Sequence, residues 1–79
     1  MGSNKIPYQV AKKLMDDYGA DKRADLFGRD VWKKNNTVIS LKKSDFIDFD
    51  LLHHIAIDQL ELPMWEFDYW LGENSVLPN

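Results

Sequence analysis

Residues 48–73 read DFDLLHHIAIDQLELPMWEFDYWLGE, and no other stretch of the chain holds so many large apolar side chains. Its first part places apolar residues three or four positions apart, at Leu51, Leu52, Ile55, Ala56 and Leu60. That spacing is typical of a helix with one face in a core. Pro63 fits the opening turn of a further helix, because an N–H group there has no helical partner. The stretch therefore predicts helices at about 48–60 and 63–71, against which the rest of the chain packs.

The segment before this pair favours two further helices. Residues 7–18 place large apolar side chains on one side and lysines and aspartates on the other, and Gly19 ends this amphipathic pattern. Residues 21–27 predict a short helix between a capping Asp21 and Gly28. We therefore expect a mainly α fold, a compact four-helix single domain.

Two parts of the chain are predicted to lie outside these helices. The Asn35-Asn36 pair tolerates turn conformations and β-favouring residues flank it, so a short β-hairpin over 30–41 is the leading interpretation. An irregular loop or a degraded helix is the alternative there. Residues 73–79 are expected to be an irregular tail whose apolar residues dock back on the domain. All 79 residues are assigned to this one small domain.

Charge is divided unevenly along the chain. Residues 1–43 hold all ten basic residues and five acids, whereas residues 44–79 hold eight acids and no Lys or Arg. The two halves therefore carry net charges of +5 and −8. Such a split indicates either two surfaces with different partners or two halves that attract each other on folding.

The composition and the side-chain patterns exclude several classes of protein. Cysteine is absent, which excludes disulfides and thiolate metal sites. No apolar run approaches the ~20 residues of a transmembrane helix, and no signal-peptide pattern opens the chain, so we expect a cytoplasmic protein.

Side chains suited to catalysis or metal binding are few. His54 and Asp58 lie one turn apart on the same side of a predicted helix, but two ligands do not make a metal site. The carboxylates Glu61, Glu66, Asp68 and Glu73 lie on or beside one short helix, which offers no cleft for acid–base catalysis. No glycine-rich phosphate loop or nucleophile motif is present. We therefore expect a protein that is not an enzyme and has neither a metal nor a cofactor.

Three segments together carry a resemblance to a known family. DDYGADKRADLFG, residues 16–28, places Ala24 and Gly28 at the spacing of a small helical residue and a turn glycine. VWKK, residues 31–34, resembles the end of a recognition helix, and residues 48–72 resemble a closing helical pair. In these features the chain resembles the small phage repressors of the Cro and CI type, which have a helix-turn-helix. The resemblance implies DNA binding and transcription regulation.

The basic residues of segment 29–43 are the predicted DNA contacts. Between Gly28 and Trp32 there is room for about one helical turn, where the repressors have a full recognition helix. We therefore expect a basic ribbon that grips phosphates or enters a groove. Its residues are Arg29, Lys33, Lys34, Lys42 and Lys43.

The last predicted helix carries a candidate protein-binding surface. Its inward face is expected to consist of Met64, Phe67, Trp70 and Leu71. Trp65 and Tyr69 would then form an aromatic ledge beside Glu66 and Asp68, as in a binding hot spot, unless the hairpin or the tail covers it. This acidic, aromatic half is expected to serve dimerisation or a protein partner.

Two further functions stay open. The main alternative to DNA binding is a protein–protein interaction module, such as a phage-encoded inhibitor or an assembly adaptor, that uses the acidic and aromatic helices. In the other alternative, the acidic half mimics nucleic acid and occupies the binding site of another protein.

Overall fold

Residues 5–76 are described by the computed structural model, and they form a mixed α/β fold. The prediction of a mainly α, four-helix domain is therefore wrong. In chain order the elements are β1 (Lys5–Pro7), α1 (Tyr8–Asp17), β2 (Asp21–Leu26), β3 (Arg29–Lys34), β4 (Thr37–Lys42), β5 (Phe46–Asp48), α2 (Phe49–His54), a π-helical turn (Ile55–Gln59) and α3 (Met64–Glu73). Strands β2, β3 and β4 form an antiparallel sheet in that order, and β1 pairs antiparallel with β5.

The prediction of a helix over 21–27 is wrong, because residues 21–26 form strand β2. A helix here would need an apolar face against the core, whereas every residue of the strand is exposed except the half-buried Ala24. Pairing with β3 instead satisfies the backbone groups of β2 that face β3. Gly28, which was predicted to end a helix, is the second residue of the turn that joins β2 to β3. Long-range pairing thus overrides the local pattern.

The hairpin considered over 30–41 is present and consists of β3 and β4. Trp32 lies opposite Ile39, and both side chains are buried. Asn35 has a φ of +54°, a conformation that Asn tolerates better than most residues. Residues 31–34, which sequence analysis compared with the end of a repressor recognition helix, lie in strand β3.

Helices occur near the other predicted positions but with different ends. The first helix begins at Tyr8, because Pro7 pairs with Phe46 in the β1–β5 sheet. The helix predicted over 48–60 begins at Phe49 and widens into the π-helical turn. Glu61, with a φ of +58°, follows this turn.

The last helix, α3, extends beyond its predicted end at residue 71. It continues through Glu73, and Ser75, with a φ of +55°, takes the left-handed position that closes it. Val76 is buried, whereas the predicted docking of Leu77 lies outside the described residues. The inward stripe of α3 is buried at Phe67, Trp70 and Leu71. Met64 was predicted to join this stripe but is 52% exposed.

The core lies between the inner face of the three-stranded sheet and the helices. The sheet contributes Trp32, Ile39 and Leu41, and the helices contribute most of the remaining buried apolar side chains. Trp70 ties α3 to α1, because its Nε1–H donates a hydrogen bond to Asp17 Oδ2 at 2.8 Å. Within residues 5–76, no helix has the length and apolar character needed to cross a membrane.

Candidate nucleic-acid interface

The three-stranded sheet has one face toward the core and one toward solvent. Along β3 and β4, buried residues alternate with exposed or half-buried ones, as the two-residue period of a strand requires. The solvent-facing residues of these two strands, which we call the outer face, are Arg29, Val31, Lys33, Val38, Ser40 and Lys42. Strands β3 and β4 therefore contribute three cations and no acid to the solvent face, where Asp21 of β2 lies opposite Lys33.

Three of the five predicted DNA contacts share this outer face. Arg29 lies directly opposite Lys42, and Lys33 lies four residues further along β3, roughly 13 Å from Arg29 at the usual rise of a strand. Among the described residues, none of the three forms an ion pair, although Asp21 of β2 lies opposite Lys33. Arg29 is held in place by Ser40, whose Oγ accepts a hydrogen bond from Nε at 2.8 Å.

The other two predicted DNA contacts lie elsewhere. Lys34 is half-buried on the inner side of β3, beside a cleft of about 430 Å³ that Glu61 also lines. Lys43 forms an ion pair with Asp25 and lies 3.9 Å from Asp30. The contact with Asp25 raises the pKa of Lys43. Neither lysine belongs to the outer face, so the structure divides the predicted set in two.

Asp30 is a buried carboxylate that connects the sheet to α1. It is 1% exposed, and its Oδ2 accepts a hydrogen bond from the Tyr8 hydroxyl at 2.8 Å. Its Oδ1 lies 2.9 Å from Lys22 Nζ and forms an ion pair with it. Burial alone would raise the pKa of Asp30. Lys22, the Tyr8 hydroxyl and Lys43 outweigh that effect and hold the pKa below its ordinary value.

Tyr8, Lys22 and Trp32 complete this network. Burial, followed by the hydrogen bond to Asp30, raises the pKa of Tyr8, so its hydroxyl stays protonated and donates. Lys22 Nζ lies 5.5 Å from the centre of the Trp32 ring, within the range of a cation–π interaction. Sequence analysis missed the network because Asp30 lies among basic residues that were assigned to a surface. The available signal was that Asp30 lies two residues before Trp32, because residues two apart in a strand lie on the same side of the sheet.

The turn between β2 and β3 carries the most exposed large apolar side chain of the described residues. Phe27 is 97% exposed, and the preceding Leu26 is 60% exposed. Both turn residues have positive φ, +54° at Phe27 and +72° at Gly28. Glycine adopts this conformation freely, whereas a residue with a Cβ pays about 1–2 kcal/mol. Sequence analysis missed this turn because Phe-Gly is not a typical hairpin dipeptide, and Gly28 alone was the signal.

Most ion pairs of the described residues form within one half of the chain rather than between the basic and the acidic half. Among the described residues, the ion pair between Lys5 and Asp48, at 3.0 Å, is the one that joins the halves. The other lysine ion pairs use aspartates of the basic half itself. Within residues 44–76, the acids without a basic partner are Asp45, Asp50, Glu61, Glu66, Asp68 and Glu73. Few short-range contacts therefore join the opposite charges of the two halves.

The aromatic ledge predicted on α3 is open to solvent. Trp65 is 70% exposed and Tyr69 is 65% exposed, and Asp68 is exposed between them. Glu66 is half-buried and lies near Tyr18, the residue that follows α1. Burial of the Tyr18 side chain, and then the charge of Glu66, raises the pKa of Tyr18. The predicted partner-binding set therefore contains two aromatic side chains and one acid on the open surface, with the second acid turned toward the fold.

The histidine and aspartate considered as metal ligands do come together. His54 Nδ1 lies 2.7 Å from Asp58 Oδ2, one helical turn apart. Over residues 5–76, no group of three or more His, Asp or Glu side chains is arranged to hold a metal ion. The pair is a surface contact on the helix, since two ligands do not make a metal site.

Comparison with protein-family models, with curated proteins and with solved structures finds no match in any of the three. The function must therefore be argued from the chemistry of the outer face, the β2–β3 turn and the aromatic ledge.

Proposed function

We propose that this protein is a non-enzymatic DNA-binding protein that contacts the phosphate backbone through its outer face. The proposal rests on one observation, the placement of Arg29, Lys33 and Lys42 on one exposed face without an acidic partner among the described residues. Phosphate contacts supply most of the affinity of non-specific DNA binding. A transcription-regulating role, as the repressor resemblance implies, would add sequence recognition to this binding.

The dimensions of the β3–β4 hairpin suit a duplex. Some DNA-binding proteins place strands of a β-sheet in the major groove, which is about 12 Å wide, and here β3 is the central strand of the three-stranded sheet. The roughly 13 Å between Arg29 and Lys33 spans about four base-pair steps of 3.4 Å each. Val31 and Val38 lie on the same face and offer apolar contacts of the kind that recognise thymine methyl groups. The uncompensated acids of the C-terminal half favour an orientation that turns α3 away from the phosphates.

Titration of the labelled protein with a short random-sequence duplex, followed by amide-resolved NMR, tests the proposal. We expect shifts at outer-face residues that diminish as salt rises, because phosphate contacts release counterions. Three such contacts predict a slope of about −2.7 for log K against log salt concentration. The absence of shifts at low salt would refute DNA binding.

Charge-reversal variants test whether the outer face is the interface. The double substitution Lys33→Glu with Lys42→Glu should abolish binding at moderate salt. Lys12→Glu with Lys13→Glu on α1 makes the same change in net charge away from the outer face and is the matched control. Equal losses in the two variants would show that net charge alone governs binding and that the outer face is not the site.

The exposed ledge supports a second candidate function, a protein–protein interaction module. Two aromatic side chains, each about two-thirds exposed, lie in a surface rich in unpaired acids. Aromatic residues dominate binding hot spots, and the acidic surroundings favour a partner with a basic surface. In this candidate function the lysines of the outer face serve solubility.

Titration with an amphipathic peptide of lysine and leucine tests the second candidate. The double substitution Trp65→Ala with Tyr69→Ala should remove peptide binding while the fold is retained. Leu51→Ala, which truncates another exposed apolar residue, is the matched control. Light scattering of the wild-type protein measures dimerisation, which would assign the ledge to a second copy of the chain instead.

A further inference from the structure

We propose that Phe27 is a base-stacking residue, whose ring packs on a nucleobase of the DNA bound by the outer face. This inference rests on the proposed function and adds a contact to the bases that the outer-face cations do not supply. Its chemistry is stacking of an aromatic ring on a nucleobase, either at an opened step of a duplex or at an unpaired base.

Neither the turn nor the core explains a phenylalanine at this position. The residue has a φ of +54°, a conformation in which Asn or Gly is favoured and a bulky side chain is strained. Its ring is 97% exposed, so it adds nothing to the burial of apolar surface. A strained backbone that supports an exposed aromatic ring is typical of a binding residue rather than of a structural one.

The turn is continuous with the cations of the outer face. Leu26 lies opposite Arg29, and Arg29 lies opposite Lys42, so the turn projects from the end of the sheet at which two of the three cations lie. Gly28 is fixed there, because its carbonyl oxygen accepts a hydrogen bond from the backbone N–H of Lys43 at 2.8 Å. Phosphates bound by these cations would therefore bring bases next to the ring.

The pair Leu26 and Phe27 also has the composition of known wedge residues. Proteins that deform DNA insert apolar side chains such as Phe and Leu between base steps, and single-strand binders stack bases on aromatic rings. Leu26 is 60% exposed beside the ring, so both side chains are available without a rearrangement of the core.

The substitution Phe27→Asn tests the inference, because it separates binding from folding. It creates the Asn-Gly dipeptide that such turns prefer, so the variant should be at least as stable as the wild type. We expect its DNA affinity to fall roughly tenfold or more, as for the loss of one stacked base. The salt slope should stay unchanged, because no charge is altered. Phe27→Trp should keep or improve the affinity, and Phe46→Asn, at another exposed phenylalanine, is the matched control.

Two probes distinguish the sources of the base. A duplex that carries 2-aminopurine reports an opened step through an increase in fluorescence on binding, which Phe27→Asn should abolish. A single strand that carries the same base reports stacking on an unpaired base through quenching, again lost in the variant. Either result supports the inference.

Failure of the inference and failure of the proposed function give different results. If the wild type binds both probes and Phe27→Asn binds them with the same affinity, base stacking by Phe27 is refuted while DNA binding stands. If the wild type binds neither probe at low salt, DNA binding is refuted and the inference falls with it.

Discussion

The two hairpins of the sheet share strand β3 but are closed and held in different ways. The β3–β4 hairpin turns at Asn35, which tolerates a positive φ, and buries Trp32 against Ile39. The β2–β3 hairpin turns at Phe27, a residue that is strained at a positive φ. The buried contact of this hairpin is the carboxylate of Asp30. One hairpin is therefore stabilised by local preference and apolar burial, and the other by an ionic network despite a strained turn.

The difference teaches where stability and binding are to be sought. The β3–β4 hairpin satisfies the usual rules for turns and for burial, so folding alone explains its turn and its inner face. The β2–β3 hairpin breaks two of these rules, with a bulky residue at positive φ and a charge in the interior. Such departures concentrate at functional sites, where the rest of the fold compensates for their cost. The comparison predicts opposite effects for matched substitutions in the two hairpins.

The largest effect is expected from Asp30→Ala, which removes the centre of the ionic network. The variant leaves the buried Tyr8 hydroxyl without its acceptor and Lys22 without its partner, so we expect a loss of about 3 kcal/mol in the free energy of unfolding. Denaturant titration at neutral pH measures it. Asp21→Ala, an exposed acid of the same strand pair, should change the free energy by less than ~0.5 kcal/mol. Equal effects of the two variants would show that the network does not hold the hairpin.

Acid should weaken the β2–β3 hairpin by a smaller amount than this substitution, because a protonated Asp30 still accepts the hydrogen bond from Tyr8. The pKa of Asp30 is lower in the folded chain than its ordinary value of 3.8, so the folded state binds fewer protons. The stability it contributes is complete above that value and is lost as the pH falls through the lower, folded-state pKa. The stability contributed by Asp17 depends on pH in the same way, because the hydrogen bond from Trp70 lowers the pKa of Asp17.

Unfolding measured between pH 5 and pH 2 in an Asp17→Asn background isolates the contribution of Asp30. Amide signals of β2 should broaden or shift before those of β4. A second change, Asp30→Asn, should flatten the pH dependence over the same range. Loss of β4 signals at the same pH as those of β2 would contradict a separate ionic support for the first hairpin.

The same comparison shows how much of the fold the sequence could predict. The hairpin over 30–41 was found because Asn35 and Asn36 give a turn signal between β-favouring residues, and helices near α1, α2 and α3 follow from apolar spacing. Strand β2 was missed because Asp21, Lys22 and Asp25 look like helix-surface residues, and its strand character comes only from pairing with β3. No local pattern contains that long-range hydrogen bonding.

The candidate site was predictable to a similar extent. The cluster of cations in segment 29–43 is visible in the sequence, but which of them face solvent depends on strand register. A shift of one residue would exchange Lys33 with Lys34, so their separation onto opposite faces required the structure. The conformation of Phe27 was beyond local rules, because a phenylalanine is rare at positive φ and its exposure follows from the turn alone.

Exchange of the two turn residues should have intermediate effects of opposite sign. Phe27→Asn relieves a strained position and should raise the free energy of unfolding by about 1 kcal/mol, whereas Asn35→Phe introduces the strain and should lower it by a similar amount. Thermal and denaturant unfolding of the two variants and of the double exchange measure these changes. If both substitutions destabilise the protein, Phe27 makes a stabilising contact, and the contrast between the turns is lost.

The smallest effect on stability is expected at the outer face, whose cations differ in this respect from Lys22 of the ionic network. Lys33→Ala should change the free energy of unfolding by less than ~0.5 kcal/mol, because its side chain forms no ion pair among the described residues. Lys22→Ala should cost more, since it withdraws a positive charge 2.9 Å from the buried Asp30 oxygen. In a DNA titration the order should reverse, with Lys33→Ala reducing affinity and the salt slope by about 0.9. A Lys33→Ala variant that loses stability rather than DNA affinity would make the outer face a structural surface.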